Sequence, residues 1–113
     1  MDQATKDRIV QNEAFFREIN ERVQELERER QDDTDARVRW EFLCECGRAT
    51  CAEPVKMTRA EYEAARADPV RFAVLPGHEN PEVERVVERT DRFLVVEKVP
   101  GERGIARAAD PRT

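Results

Sequence analysis

Cys44-Glu45-Cys46-Gly47-Arg48-Ala49-Thr50-Cys51, CECGRATC in one-letter code, holds all three cysteines of the chain. Three thiols crowded into eight residues, with none elsewhere, organise a fold around a point. An odd number leaves one over from any disulfide scheme, and clustered thiols are the usual ligands of a metal ion. Thiolate sulfur suits zinc, and Gly47 lets a short loop wrap three sulfurs around one ion. A closed tetrahedral site needs a fourth ligand. The single histidine, His78, follows Pro76-Gly77, a turn that aims a side chain sharply. The spacing C-x-C-x4-C, and His78 after it, predicts a zinc site of Cys44, Cys46, Cys51 and His78, with Glu45, Glu79 or water as alternatives to the histidine. Iron–sulfur chemistry is less well served, because four cysteines are usual there. The plain alternative is a buried Cys44 in a strand, with Cys46 and Cys51 as ordinary thiols.

Outward from the loop the chain alternates between short elements. In RVRWEFLC, Val38, Trp40, Phe42 and Cys44 alternate with Arg37, Arg39, Glu41 and Leu43, a period of two that predicts a strand ending at Cys44. After the loop comes an extended PVKM. Thr58-Arg59-Ala60-Glu61 fits the capping box S/T-x-x-E and starts a helix of about ten residues that stops before Asp68-Pro69. VRFAVL, residues 70–75, reads as a second strand. Residues 82–99 have two readings, a helix capped at Asn80-Pro81 or a hairpin turning at Thr90-Asp91. Their valine density favours the hairpin. From Pro100 the tail, with Gly101 and Gly104, reads as loop that frays at its end.

Residues 4–31 contain no Gly or Pro and are rich in Glu, Arg and Gln, which predicts one long helix over residues 1–31. In heptads, Ile9, Phe16 and Val23 fall at a, and Asn12, Ile19 and Leu26 fall at d. Arg8 with Glu13, and Arg22 with Glu27, have the g-to-e spacing of paired helices. Two readings stand: an amphipathic helix laid across the domain's own sheet, or a contact with a protein partner or a second copy, giving a homodimer. Phe15, beside Phe16 at a g position, widens the apolar surface. QDDTDA, residues 31–36, is a polar break. The domain expected beyond it is a zinc-stabilised α+β unit over residues 37–100, with residues 101–113 as tail. The fold class is therefore α+β: a long N-terminal amphipathic helix, a small mainly antiparallel sheet, one short helix and a zinc-binding loop.

Composition narrows the function. Charged residues make up 40% and apolar ones 39% of the 113 residues, which is thin material for a core and gives a metal staple something to contribute. The net charge of −5, with 25 acids against 20 bases, disfavours wholesale binding to nucleic acid, although Arg37 and Arg39 form a local basic pair. MDQATKDRIV carries no apolar signal region and no apolar run approaches a membrane span, so a cytoplasmic protein is expected. No P-loop, dinucleotide fingerprint, Ser-His-Asp set or H-E-x-x-H pattern is present. Tyr62 and Arg66, four apart on the short helix with Glu61 alongside, are candidates to line a polar site. Glu79 could serve as a general base only if the metal kept an open water.

CECGRATC resembles the zinc loop of post-SET segments in protein lysine methyltransferases, where C-x-C-x4-C supplies three ligands and a distant residue the fourth. The likeness covers eight residues; it implies metal at Cys44, Cys46 and Cys51 and says nothing for methyl transfer. From FLCECGRATC through EYEAARADPVRF, PGH and VVEK to DPR, the chain also resembles a group of small actinobacterial proteins, a likeness that carries no activity with it. The expectation is a zinc-stabilised interaction, adaptor or regulatory protein. The alternatives are a redox- or metal-responsive switch and, less well supported, an open-site zinc enzyme.

Overall fold

A computed structural model describes residues 1–30, 37–48, 50–51 and 53–112, with the side chains of residues 27–30 left aside. The polar break over residues 31–36 lies outside the described residues. The class is α+β, as the sequence predicts, but the single sheet expected is two. Strands β1 (Arg39–Leu43) and β2 (Pro54–Thr58) form an antiparallel pair around the cysteine loop. Strands β3 (Arg71–Val74), β4 (Glu84–Arg89) and β5 (Leu94–Lys98) form a second sheet in the order β3-β5-β4, all antiparallel. Residues 84–98 thus take the hairpin reading. A bulge between Val86 and Glu88 interrupts β4, which lies at the sheet's edge.

Alternation sets the core from Trp40 onward, whereas Val38, grouped with it by period, lies before β1 and stays exposed. Trp40, Phe42 and Cys44 face inward from β1 and Val55 and Met57 from β2. The Phe42 ring stacks on that of Tyr62, centroids 4.2 Å apart. Helix α2 (Arg59–Arg66) begins at the predicted capping box: Thr58 accepts from Glu61 N–H, and the Glu61 carboxylate accepts from Thr58 N–H. At the C-terminus the structure corrects the sequence. Residues expected as loop form a 3-10 turn (Pro100–Glu102) and a helix, α3 (Arg103–Ala108), whose Ala106 is fully buried.

Helix α1 (Gln3–Arg30) holds the larger surprise. It does lie on the domain, but it turns its polar face inward. Val10, Glu13, Ala14, Arg17, Asn20, Glu21 and Gln24 are buried, whereas Phe15 and Leu26 stay 60% and 58% exposed. Ile9 and Val23 pack only at the margin of the core. The polar residues are paired with distant partners, although Glu13 Oε1 and Arg17 Nε are buried without a hydrogen bond. Lys98 Nζ donates to Glu13 at 2.6 Å and to Glu84, all three side chains being fully buried, and stands 4.7 Å from the Phe72 ring centre. The Arg17 guanidinium donates to the Pro69 carbonyl at 2.5 Å and to the Ala106 carbonyl at 2.7 Å, over the same ring. Glu21 pairs with Arg66 at 2.5 Å and Arg112 at 2.6 Å, and Arg66 with Asp110 at 2.6 Å. Such partnerships are what allow charged groups to be buried at all.

Candidate metal centre

The site is built where strand β1 runs out. Cys44 follows the last residue of β1, and the chain turns through Glu45 and Cys46 to Gly47, whose φ of +74° needs a glycine. That glycine lies against α1: a Cβ there would stand 3.0 Å from Glu13 Cγ and 3.2 Å from Asn12 Cβ. Cys51 N–H donates to the Arg48 carbonyl at 3.1 Å, which folds the third sulfur back toward the first two. The fourth residue comes from the other sheet. After β3, Leu75-Pro76-Gly77-His78 forms a turn closed by His78 N–H to the Leu75 carbonyl at 3.0 Å, with Gly77 at φ +86°. Proline second and a positive-φ glycine third is the signature of a type II turn.

These segments bring together the four residues the spacing singled out. One ligand atom from each of Cys44, Cys46, Cys51 and His78 lies within 4.8 Å of all the others. His78 Nδ1 is 3.6 Å from Cys44 Sγ and 3.5 Å from Cys51 Sγ. A tetrahedral ion with metal–sulfur bonds of about 2.3 Å and metal–nitrogen bonds of about 2.05 Å separates S from N by about 3.6 Å. The two Nδ1–Sγ separations match that spacing, which is also that of a sulfur–imidazole hydrogen bond. The four residues are close enough to hold a metal ion.

The surroundings suit thiolates. Leu75 N–H donates to Cys44 Sγ at 3.2 Å; the N–H of Cys46 also serves Cys44, and that of Arg48 serves Cys46. Against these donors, burial pushes the thiols of Cys44 and Cys46 upward from their ordinary range. Burial without a cation therefore favours protonated sulfur, and a bound metal has to displace those protons. Cys51 and His78 are half-buried, so the cluster has one wet side.

Glu45 is not a ligand. Its carboxylate turns away, accepting from Asn20 at 2.7 Å and from Ala73 N–H at 3.0 Å, while its own N–H donates to the Ala73 carbonyl at 2.9 Å. Complete burial raises its carboxyl above the usual range, opposed by those hydrogen bonds. Asn20 in turn donates to the Leu43 carbonyl at 2.9 Å and accepts from Leu43 N–H at 2.8 Å. Loop, β3 and α1 are thus tied together at one residue lying between Cys44 and Cys46. The sequence reading missed Asn20 and offered Glu45 only as an alternative ligand, and no periodicity marks their pairing.

The remaining candidates are structural. Tyr62 and Arg66 are buried beneath α1 away from solvent, and Glu61 caps α2 and pairs with Arg92 at 2.6 Å. Glu79 does not join the metal cluster. Among the described residues no helix is long and apolar enough to cross a membrane. No family model, no curated protein and no solved structure matches this chain.

Proposed function

We propose that the chain is a zinc-stabilised interaction module, in which Cys44, Cys46, Cys51 and His78 hold one structural zinc ion and α1 presents its outer face to a protein. The observation that carries the zinc reading is the pair of Nδ1–Sγ separations, 3.5 and 3.6 Å, matched to tetrahedral geometry. The soft donor set favours zinc among abundant divalent ions, since carboxylate-loving cations find no oxygen ligand here. The likeness of CECGRATC to post-SET zinc loops supports the same ion. Four protein ligands fill a tetrahedral zinc, so the hydrolytic reading has no position left for water. The interaction half of the reading rests on the exposed apolar residues of α1.

The test is metal analysis of protein purified without added metal, alongside Cys46→Ser and His78→Ala. One equivalent of zinc in the parent chain, reduced in both variants, is expected. A metal-free parent that still unfolds cooperatively sinks the reading.

One observation favours a second, regulatory reading: Cys51 is partly exposed within reach of two other sulfurs. Hydrogen peroxide would take two electrons from two thiolates, forming a disulfide and, with two protons, two waters, and zinc would leave. Retention of zinc through mild peroxide treatment removes that reading.

A further inference from the structure

Successive residues of a strand point to opposite faces, so Glu97 lies on the face of the three-stranded sheet away from the buried Lys98. Arginines from three elements converge on it there. In register, Arg71 of β3 stands opposite Glu97 on one side and Arg85 of β4 on the other. Arg71 Nε donates to Glu97 Oε1 at 3.2 Å, and Arg85 Nη2 to Oε2 at 2.9 Å. From α3, Arg103 Nη2 reaches the same Oε2 at 3.4 Å, while its Nε donates to the Lys98 carbonyl at 3.0 Å. The Glu97 side chain is only 9% exposed beneath them, against 69% for Arg85, 38% for Arg71 and 29% for Arg103. The carboxylate is a floor, and the guanidinium groups are the surface.

The charges in this knot do not cancel. Three cations meet one carboxylate, and the further acid paired with them among the described residues is Asp68, 3.7 Å from Arg71 Nε. Positive charge is therefore in excess here, in a chain whose net charge is −5. Donors are in excess too. Both Nη atoms of Arg71, Nε and Nη1 of Arg85, and Nη1 of Arg103 make no hydrogen bond to the described residues. One arginine suffices to pair Glu97; the second and third add mutual repulsion that a single carboxylate offsets only in part.

We propose that Arg71, Arg85 and Arg103 bind a phosphate monoester dianion, with Glu97 as the covered post that holds the three guanidinium groups in place. The site is separate from the metal centre and from α1, and it stands or falls without them. Guanidinium forks match phosphate oxygens, and several of them together suit a tetrahedral dianion better than a carboxylate, which one arginine satisfies. Strands β3 and β4 lie about 9.5 Å apart across β5, so arginines leaning inward from both stand over β5 with a phosphate within reach of each. Arg71 and Arg103 are each held by two partners, so little freedom remains to be lost on binding. The positive field is small. Asp68 flanks Arg71, and Glu88 follows Arg85 along β4 opposite Val95. A single phosphate is therefore favoured over the repeating charge of a nucleic acid. A phosphoserine on a protein and a free phosphate share this chemistry, and the experiment separates them.

Calorimetric titration of the full-length protein at low ionic strength tests this, with inorganic phosphate, a neutral peptide carrying one phosphoserine, and the same peptide unphosphorylated. Inorganic phosphate is expected to bind with a dissociation constant of about 1 mM, and the unphosphorylated peptide not at all. A phosphopeptide about tenfold tighter than phosphate assigns the group to a protein, and equal affinities assign it to a free ligand. Arg85→Gln and Arg103→Gln each weaken binding about five- to tenfold. Arg85 is exposed on an edge strand, so Arg85→Gln keeps the parent urea midpoint and its lost binding is not lost folding. Acidity gives a second readout. A phosphoserine takes its second charge near pH 6 while arginine stays charged, so peptide affinity rises about tenfold from about pH 5 to about pH 7.5. Sulfate, dianionic at both, binds equally at the two. No saturation by either phosphate probe up to about 10 mM overturns the proposal. So does equal binding of the unphosphorylated peptide, unchanged affinity in the Arg85→Gln, Arg103→Gln double variant, or a short DNA duplex that binds more tightly than the phosphopeptide.

Discussion

Replacing Asn20 with aspartate changes one amide to a carboxylate of the same shape, and the structure says where that is felt. Asn20 is fully buried, with Nδ2 shared between the Leu43 carbonyl and Glu45 Oε2, and Oδ1 accepting from Leu43 N–H. Aspartate keeps the acceptor and loses both donations. It leaves a buried carbonyl unpartnered and sets a second carboxylate against Glu45, itself fully buried. A buried group stripped of its hydrogen bond costs about 1–3 kcal/mol, and more when charged, so Asn20→Asp should lose about 3–4 kcal/mol. That is a large share of the roughly 5–15 kcal/mol typical of a domain. Urea unfolding of zinc-loaded protein, followed by the fluorescence of the single tryptophan, buried Trp40, reads it directly. With a slope of about 1–1.5 kcal/mol per molar, the midpoint falls by about 2–4 M. Adding Glu45→Gln supplies an amide that donates to the new carboxylate, and about 1–2 kcal/mol returns. The Leu43 carbonyl stays unserved, so recovery is partial. An Asn20→Asp protein within about 0.5 kcal/mol of the parent, or a double variant no better than the single, would refute the claim that α1 clamps the metal loop.

Gly47→Ala meets a left-handed backbone and the Glu13 and Asn12 atoms of α1 at once, so a loss of about 2–4 kcal/mol is expected in the same urea assay. Burial, reinforced by the neighbouring Glu84 carboxyl and opposed by Lys98, holds the Glu13 carboxyl well above its ordinary value. A raised acid binds more protons folded than unfolded, so its contribution is complete below about pH 4 and declines as pH rises toward the folded value. Glu13→Gln, neutral at every pH, should flatten that decline in a pH series of urea midpoints. Removal of zinc by a chelator should abolish cooperative thermal unfolding monitored at Trp40, and returning one equivalent should restore it.

The four residues of the candidate metal centre were legible because their chemistry is local. Three sulfurs lie within eight residues, and the lone imidazole is aimed by a Pro-Gly turn that announces its own geometry. The capping box at Thr58 and the alternation through Trp40 and Phe42 are likewise local, and both appear where the sequence puts them. The orientation of α1 was not legible. A hydrophobic-periodicity argument counts charge as solvent-facing, and here Glu13 is matched by Lys98 from 85 residues away. Arg17 is matched by two backbone carbonyls and an aromatic face, which no composition rule can foresee. Helix α3 failed for a similar reason. Its six residues include Gly104 and lack the length for intrinsic stability, and they are helical because Ala106 is buried under Arg17.

Buried ion pairs and a metal staple contribute in different ways, and Glu45 is where the two join. An ionic interior is a weak source of net stability, since desolvation offsets most of the attraction; what it supplies is register, because a shifted α1 would strand Glu13, Arg17 and Glu21 without partners. A zinc site supplies free energy but acts only on the few residues it touches. Glu45 lies between Cys44 and Cys46 and bonds to both Asn20 of α1 and Ala73 of β3. The helix therefore cannot lift away without disturbing the residue between Cys44 and Cys46, two members of the candidate metal centre. An ion bound there would in turn steady the residue that seats the helix. With such an ion bound, a chain with as much charge as apolar content is expected to unfold as one cooperative unit.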